Sequence, residues 1–414
     1  MPKTKPKTKP KTMPKTKPRT PTSQPKKKQI SQKLRIGVLF GGRSGEHEVS
    51  LLSAASILKF IDTTKYDVVP IGITKQGQWV TSGEAQLLLA AGSKPAPVQK
   101  KSTSGKSIQL SASADLAQQN GPLAQSLDVI FPVLHGTFGE DVTIQGLLEL
   151  ADIAYVGSGV LGSSTGMDKS VMKQLFAAAG LQQTPHVNLI RSEWKADPKR
   201  CTRLIEKKLV YPVFVKPANL GSSVGISKVH SRKELAPAMD LAAGFDRKLI
   251  IEQGVGGPGA KPRELEVAVL GNDSPTASVV GEIIPNKEFY DYESKYADSP
   301  ENPSIPIIPA DISKSESNQI REMAIAAFRA CDCAGLARVD FLMDPATKGK
   351  KGKKGKPARI YLNEINTMPG FTSISMYPKL WQATGIPYKQ LIDNLIQLAL
   401  ERHSEKQRTT FSFA

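Results

Sequence analysis

"LRIGVLFGGRSGEHEVSLLSAASILKF", residues 34–60, decides the fold class. Residues 34–40 are a short apolar run that ends at Gly41-Gly42, and from about Val49 to Phe60 the apolar residues recur at helical spacing. Strand, glycine turn and helix in that order open an α/β unit. The turn carries Glu46, His47 and Glu48. In open α/β sheets, ligands bind at the C-terminal ends of the strands, so Glu46 is a candidate site residue. Acids there also suit the first turn of a helix.

Outward from this unit, "YDVVPIGI" (66–73) and "LDVIFPVL" (127–134) read as further buried strands. Between them, residues 81–126 are rich in Ser, Ala, Gln and Lys and punctuated by Gly and Pro, as in a surface insertion. "HGTFGEDVTIQGLLELADI" (135–153) reads as a loop and then a helix, with Glu140 and Asp141 expected in its first turn. "AYVGSG" closes a first domain, 34–158. A second segment, 159–253, holds helical "MDKSVMKQLFAAAG", strand "YPVFVKP", loop "ANLGSSVG" and strands "ISKVH" and "KLIIEQ". A third, 254–414, holds strand "LEVAVLGN", a polar stretch over 285–310, a helix over 313–334, two strands around a lysine-rich tip at 348–357, and helical "PYKQLIDNLIQLALERH". The first part alternates strands and helices; the later parts look antiparallel with helices attached, an α+β pattern.

The net charge of +18 invites a polyanion-binding reading. Its distribution opposes that. Residues 1–28 carry eleven Lys/Arg and residues 348–356 six Lys, neither with an acid, so the rest of the chain is left at +1. Residues 1–33 repeat Lys-Thr-Lys-Pro units. Proline denies them a helix and the lack of apolar residues denies them a core, so this tail is expected to be disordered and to contact polyanions weakly. It has no apolar stretch of a secretory signal, and no run approaches the roughly 18 residues of a membrane span. Cys201, Cys331 and Cys333 are odd in number, which suits reduced thiols in a cytoplasmic protein.

Three stretches carry chemistry. "VKPANLGSSVGISKV" places Lys216 at the end of an apolar strand, before a small-residue loop containing Ser222 and Ser223. A fixed cation and inward backbone N–H groups suit nucleotide phosphates, although the same pattern serves a tight hairpin. In "ARVDFLMD" and "YLNEINTMPGFTSIS", side chains alternate with period two, so Arg338 shares a face with Asp340, and Glu364 with Asn366. If the lysine-rich tip joins these strands as a hairpin, Asp340, Glu364 and Asn366 converge as oxygen ligands for a hard cation such as Mg²⁺. Arg338 beside them can stabilise developing negative charge. "NKEFYDYESKYADS" is too aromatic for a linker and too polar for a core strand, which suits a lid over a charged ligand as well as a surface loop.

These stretches together resemble the D-alanine–D-alanine ligases of the ATP-grasp superfamily. The resemblance covers residues 34 to about 402 and rests on "GGRSGEHEVS", "HGTFGEDVTIQG", "GSSTGMDK", "VKPANLGSSVG", "RELEVAVLG", "FYDYESKY", "ARVDF" and "NEINTMPGFTSIS", in that order. It implies an N-terminal open α/β domain followed by two ATP-grasp subdomains that sandwich ATP, with a lid at 285–303. It also implies ATP-dependent joining of two D-alanines through a D-alanyl phosphate, for peptidoglycan precursors. By the resemblance, Lys169 and Lys216 contact ATP phosphates, with Ser223 nearby and Lys295 reaching the γ-phosphate from the lid. Glu252 and Glu264 take the ribose hydroxyls. Asp340, Glu364 and Asn366 hold two Mg²⁺, for which Mn²⁺ can substitute. Arg338 and the Gly370 N–H stabilise the oxyanion. Glu46 anchors the first D-alanine's ammonium and His135 lies near its carboxylate, while Ser222 and Tyr296 hydrogen-bond with Glu46. Ser375 contacts the second D-alanine's carboxylate. Tyr296 favours D-alanine over D-lactate as second substrate, the alternative being a ligase for another amino or hydroxy acid. The family further implies a homodimer. The basic tail, the 81–126 segment, the lysine-rich tip and a long "GVGGPGAKPR" depart from its pattern.

Overall fold

In the computed structural model, residues 33–92, 127–256, 261–285, 304–345, 357–410 and 412 are described. The opening strand, β1 (Leu34–Gly41), lies between β2 (Tyr66–Ile73) and β4 (Val129–Val133), parallel to both. β5 (Ala154–Tyr155) extends the sheet parallel to β4, and β3 (Trp79–Thr81) closes the other edge antiparallel to β2. Strands covered on both faces must be apolar throughout. Ile36, Val38 and Phe40 on one face and Leu39 on the other are all buried. The order β3-β2-β1-β4-β5 reverses direction at β1, so a crevice opens beyond the C-terminal ends of β1 and β4. Gly41 makes the exit from β1 possible: its φ is +92°, and a Cβ there would lie 2.1 Å from the Ile73 carbonyl oxygen. Helix α1 (His47–Phe60) follows. Helix α2 (Ser82–Gly92) begins the expected insertion, whose remainder is outside the described residues.

Helix α3 spans Thr143–Leu150. Glu140 and Asp141 therefore precede it and do not form its first turn. Asp141 instead accepts bonds from the Phe138 and Thr143 N–H groups, and Val142 at φ 86° turns the chain into the helix. The "MDKSVMKQLFAAAG" stretch breaks at Asp168 into the end of α4 (Val160–Met167) and α5 (Lys169–Ala178). The Asp168 carboxylate caps α5 by accepting from the Ser170 and Val171 N–H groups.

A second sheet has the order β6-β9-β7-β8 and is antiparallel: β6 (His186–Ile190), β9 (Lys248–Gln253), β7 (Val213–Pro217) and β8 (Ser227–Val229). Val187, Leu189, Val213, Val215, Leu249 and Ile251 form one core with Trp194, Cys201, Ile205, Leu235 and Met239 of α6 (Arg191–Ala196), α7 (Pro198–Lys208) and α8 (Arg232–Phe245). Period-two alternation sends Lys216 and Glu252 to the opposite face.

The third sheet has the order β12-β11-β10-β13-β14: β10 (Arg263–Gly271), β11 (Thr276–Ile284), β12 (Ile305–Ile307), β13 (Gly335–Asp344) and β14 (Arg359–Asn366). β11 fills a stretch in which no strand was expected. One face, with Leu265, Val267, Val339, Phe341 and Ile365, packs on Met172 and Phe176 of α5 and on α9 (Lys314–Ala330). On the other face Ala268, Leu270 and Leu336 join the core of the first sheet beneath α10 (Met376–Thr384) and α11 (Tyr388–Lys406). Farther along that same face the residues become polar.

Candidate functional site

β13 and β14 pair antiparallel, with Asp340 opposite Glu364 and Arg338 opposite Asn366. Cross-strand partners share a face, so the expected convergence of Asp340, Glu364 and Asn366 is present. The Asn366 amide donates to Asp340 Oδ2 at 3.0 Å. The Arg338 guanidinium grips the same carboxylate through both oxygens, each at 2.8 Å, and its Nε lies 3.2 Å from Glu266 Oε2. Glu266 is 7% exposed and stands on β10 directly opposite Asp340. Sequence reasoning passed over it, although it shares a face with Glu264 two residues away. Glu264 lies opposite Leu342, one step along that face.

Among the described residues no three His, Cys, Asp or Glu side chains gather as a ready metal cluster. The donor set here is two carboxylates and one amide, all oxygen donors. Arg338 already neutralises part of the charge, and hard divalent cations such as Mg²⁺ take few protein ligands and keep waters. The residues therefore fit such an ion.

Facing residues come from the second sheet and α5. Lys216 Nζ lies 3.1 Å from Glu252 Oε1, and Lys173 Nζ lies 3.2 Å from Glu252 Oε2. The three are 8%, 1% and 3% exposed for Lys216, Lys173 and Glu252. Burial, the largest influence on Glu252, works against its charge. The two ammonium groups outweigh it and hold its pKa at about 2. Burial depresses the Lys173 pKa, and Lys216 adds to this while Glu252 resists. Lys173 was not expected at the site, although it follows Lys169 by four residues and so shares a helix face with it. Lys169 Nζ donates to the Leu220 carbonyl at 2.6 Å and lies 4.0 Å from Glu364 Oε2.

The loop after β7 reaches the crevice of the first sheet. Ser222 and Ser223 both hold left-handed φ, 51° and 60°, a costly state for residues with a Cβ. That turn lets the Ser222 hydroxyl donate to Glu46 Oε1. Glu46 is 8% exposed. Its other oxygen is hemmed in, because a Cβ on Gly136 would stand 2.7 Å from it. His135, at the end of β4, hydrogen-bonds with the Met368 carbonyl at 3.0 Å and with the Ser53 hydroxyl at 3.0 Å. Ser53 Oγ also accepts from the Phe371 N–H. Burial pushes the His135 pKa down most strongly, but the Glu140 carboxylate 3.8 Å away, helped by Glu46 and Met368, leaves it above the usual histidine value. Glu140 is raised by burial and by Glu46 against the pull of His135.

His135 thus joins the first sheet to the loop that carries Gly370 and Ser375. A Cβ on Gly370 would lie 3.0 Å from Ser375 Oγ. That oxygen accepts from the Thr372 N–H at 3.1 Å at the start of α10. Lys295 and Tyr296, and the 286–303 part of the expected lid, lie outside the described residues, as do residues 348–356 and 1–32. No helix among the described residues is long and apolar enough to cross a membrane.

Residues 35–158 match the family described as D-ala D-ala ligase N-terminus, and residues 175–397 match D-ala D-ala ligase C-terminus. A D-alanine–D-alanine ligase of Geobacillus thermodenitrificans is 48% identical over 385 residues, covering 92% of this chain and 99% of that protein. One from Natranaerobius thermophilus is 49% identical over 386 residues, with 92% and 99% covered. Among solved structures, the D-alanine-D-alanine ligase from Coxiella burnetii superposes with a TM-score of 0.69 at 34% identity, over 91% of this chain and 96% of that one. The VanG D-Ala:D-Ser ligase from Enterococcus faecalis gives 0.71 at 35% identity, over 89% and 100%. With both halves matched and relatives nearly half identical along almost their whole length, the chain belongs to the D-alanine–D-alanine ligase family.

Proposed function

We propose that this chain joins two D-alanine molecules to D-alanyl-D-alanine at the expense of ATP, with a D-alanyl phosphate between, and so supplies peptidoglycan precursors. The observation that carries the reading is the approach of two polar sheet faces. Lys216 and Glu252 line one, and Arg338, Asp340, Glu364 and Asn366 line the other, with Lys169 between them. A nucleotide triphosphate and a carboxylate repel, so their reaction needs cations on both sides.

In this reading Lys169 and Lys216 hold phosphate oxygens, with Ser223 and, from the lid, Lys295. Glu252 and Glu264 receive the nucleoside. Asp340, Glu364 and Asn366 hold two magnesium ions. When bound, such ions would supply positive charge that neutralises the phosphates. Glu46, oriented by Ser222 and Tyr296, anchors the first D-alanine's ammonium, and His135 lies by its carboxylate. Arg338 and the Gly370 N–H stabilise the oxyanion formed as the second amine attacks, and Ser375 receives the second carboxylate. The segments 34–158, 159–253 and 254–414 act as three subdomains of a cytoplasmic homodimer. The 1–33 tail makes weak polyanion contacts without entering the chemistry.

The VanG neighbour is a D-Ala:D-Ser ligase, which favours one second reading, a D-alanine–D-serine ligase. Supplying ATP and D-alanine with D-alanine, D-serine, D-lactate or L-alanine, and identifying the product by mass spectrometry, tests both. D-alanyl-D-alanine as the main product supports the first reading. A preference for D-serine supports the second, and product only from L-alanine overturns both.

A further inference from the structure

Lys173 is the least expected member of the site. It is 1% exposed, and a buried ammonium persists only when its charge and its donors are matched. Its Nζ lies 3.2 Å from Glu252 Oε2 on the second sheet and donates to the Asn363 carbonyl, at 3.4 Å, on the third. Asn363 occupies a special position. Glu364 pairs with Asp340 and Leu362 with Phe341, so the register shifts there and Asn363 is the extra residue of a bulge. Bulges bend a strand and re-aim the adjacent side chain. The side chain that follows is Glu364.

The element that carries Lys173 is anchored at both ends of this span. α5 is capped by Asp168, whose carboxylate also pairs with Lys248 of β9. The Lys169 N–H donates to the Ala218 carbonyl at the end of β7, which fixes the helix start to the second sheet. Met172 and Phe176 of the same helix are fully buried in the core of the third sheet. Lys173 therefore sits on a rigid strut between the two sheets. Its ammonium touches both the Glu252 carboxylate and the backbone of the Asn363 bulge.

We propose that Lys173 is a positioning residue that couples nucleotide binding to the cation ligands: it holds Glu252 on one sheet and, through the Asn363 bulge, sets the aim of Glu364 on the other. This rests on the nucleotide and magnesium roles of Glu252 and Glu364 given above. A nucleotide that engages Glu252 and Lys216 leaves Lys173 as the remaining counter-charge of Glu252, so the ammonium stays in place and the bulge stays pinned. Without Lys173 the two ends of the site respond separately.

The test is calorimetric binding of β,γ-imido ATP to the full chain, with magnesium and with magnesium removed by chelator, for wild type, Lys173→Met and Lys173→Gln. Wild type is expected to bind the nucleotide more tightly with magnesium. Lys173→Met loses roughly 10–100-fold in affinity with magnesium, the usual cost of removing an outer partner of a metal ligand, and much less without it. Lys173→Gln, which keeps a donor for the Asn363 carbonyl, recovers part of the magnesium effect. It also serves if the methionine variant shows no melting transition. A merely structural role would lower the melting temperature and leave the magnesium effect intact, and that result overturns the proposal. Equal losses with and without magnesium overturn it too. Absence of nucleotide binding by wild type overturns the functional reading itself, and this inference with it.

Discussion

Replacing Ser222 by alanine removes one hydroxyl and tests whether Glu46 is held for substrate. The hydroxyl donates to Glu46 Oε1, and the carboxylate is 8% exposed. A hydrogen bond to a charged group is worth about 1.5–3 kcal/mol. The carboxylate cannot swing far to find another donor, because its second oxygen is flanked by the backbones of Gly136 and Gly221, whose added Cβ atoms would lie 2.7 and 3.3 Å away. With about 1.4 kcal/mol per tenfold in rate, kcat/KM for D-alanine is expected to fall about 10–100-fold. The KM for ATP should stay within about twofold of wild type, since the contact lies on the crevice side of the loop. Ser222→Gly makes the control. It loses the same hydroxyl but relieves the left-handed backbone at φ 51°, worth about 1 kcal/mol, so it should be as impaired as the alanine variant yet melt at a higher temperature. Coupled ADP release gives the rates and thermal unfolding the stabilities. If Ser222→Ala keeps wild-type kcat/KM for D-alanine, Glu46 does not depend on Ser222 and the assignment of this corner as the first-substrate site is wrong.

Other perturbations reach the remaining parts. Glu252 is held at a pKa of about 2 against an ordinary 4.5, so its stabilisation is complete above about pH 4.5 and is lost as pH falls toward 2. The shift corresponds to about 3 kcal/mol, and urea unfolding between those pH values should show a steeper acid limb in wild type than in Glu252→Gln; equal slopes contradict the triad. Glu364→Gln should fold normally, lose roughly 100-fold or more in turnover and need more magnesium for half-maximal rate. Unchanged turnover would remove Glu364 from the ligand set. Deleting residues 1–28 should leave kcat and KM unaltered, because the family match begins at residue 35; a large loss would bring the tail into the enzyme.

The sequence disclosed those parts of the site that lie on strands. Period two put Arg338 with Asp340 and Glu364 with Asn366, and the antiparallel pairing of β13 with β14 then fixed which faces which. The buried runs of the parallel sheet were equally plain, since β1 and β4 are apolar on both faces. Contacts between elements were not legible. Lys173 carried no local sign of a role, although Lys169 one turn earlier did, and only the packing of α5 between two sheets buries it. Glu266 was passed over because nothing local shows that β10 lies beside β13. The break at Asp168 was hidden by helix-forming residues on both sides, although its carboxylate is a standard cap. Placing Glu140 and Asp141 inside α3 failed because a left-handed Val142 cannot be anticipated from composition.

The central claim is that the clustered lysines and the Asp340–Glu364–Asn366 face bring a carboxylate and a phosphate together. Oxygen labelling reads this directly. D-Alanine carrying ¹⁸O in its carboxyl group is incubated with ATP, magnesium and the full chain, and the released phosphate is analysed by mass spectrometry. The account predicts one ¹⁸O in each phosphate and one dipeptide for each ADP, because the carboxylate oxygen that attacks phosphorus leaves with it. Dipeptide formed with unlabelled phosphate, or ADP formed without dipeptide, would contradict it.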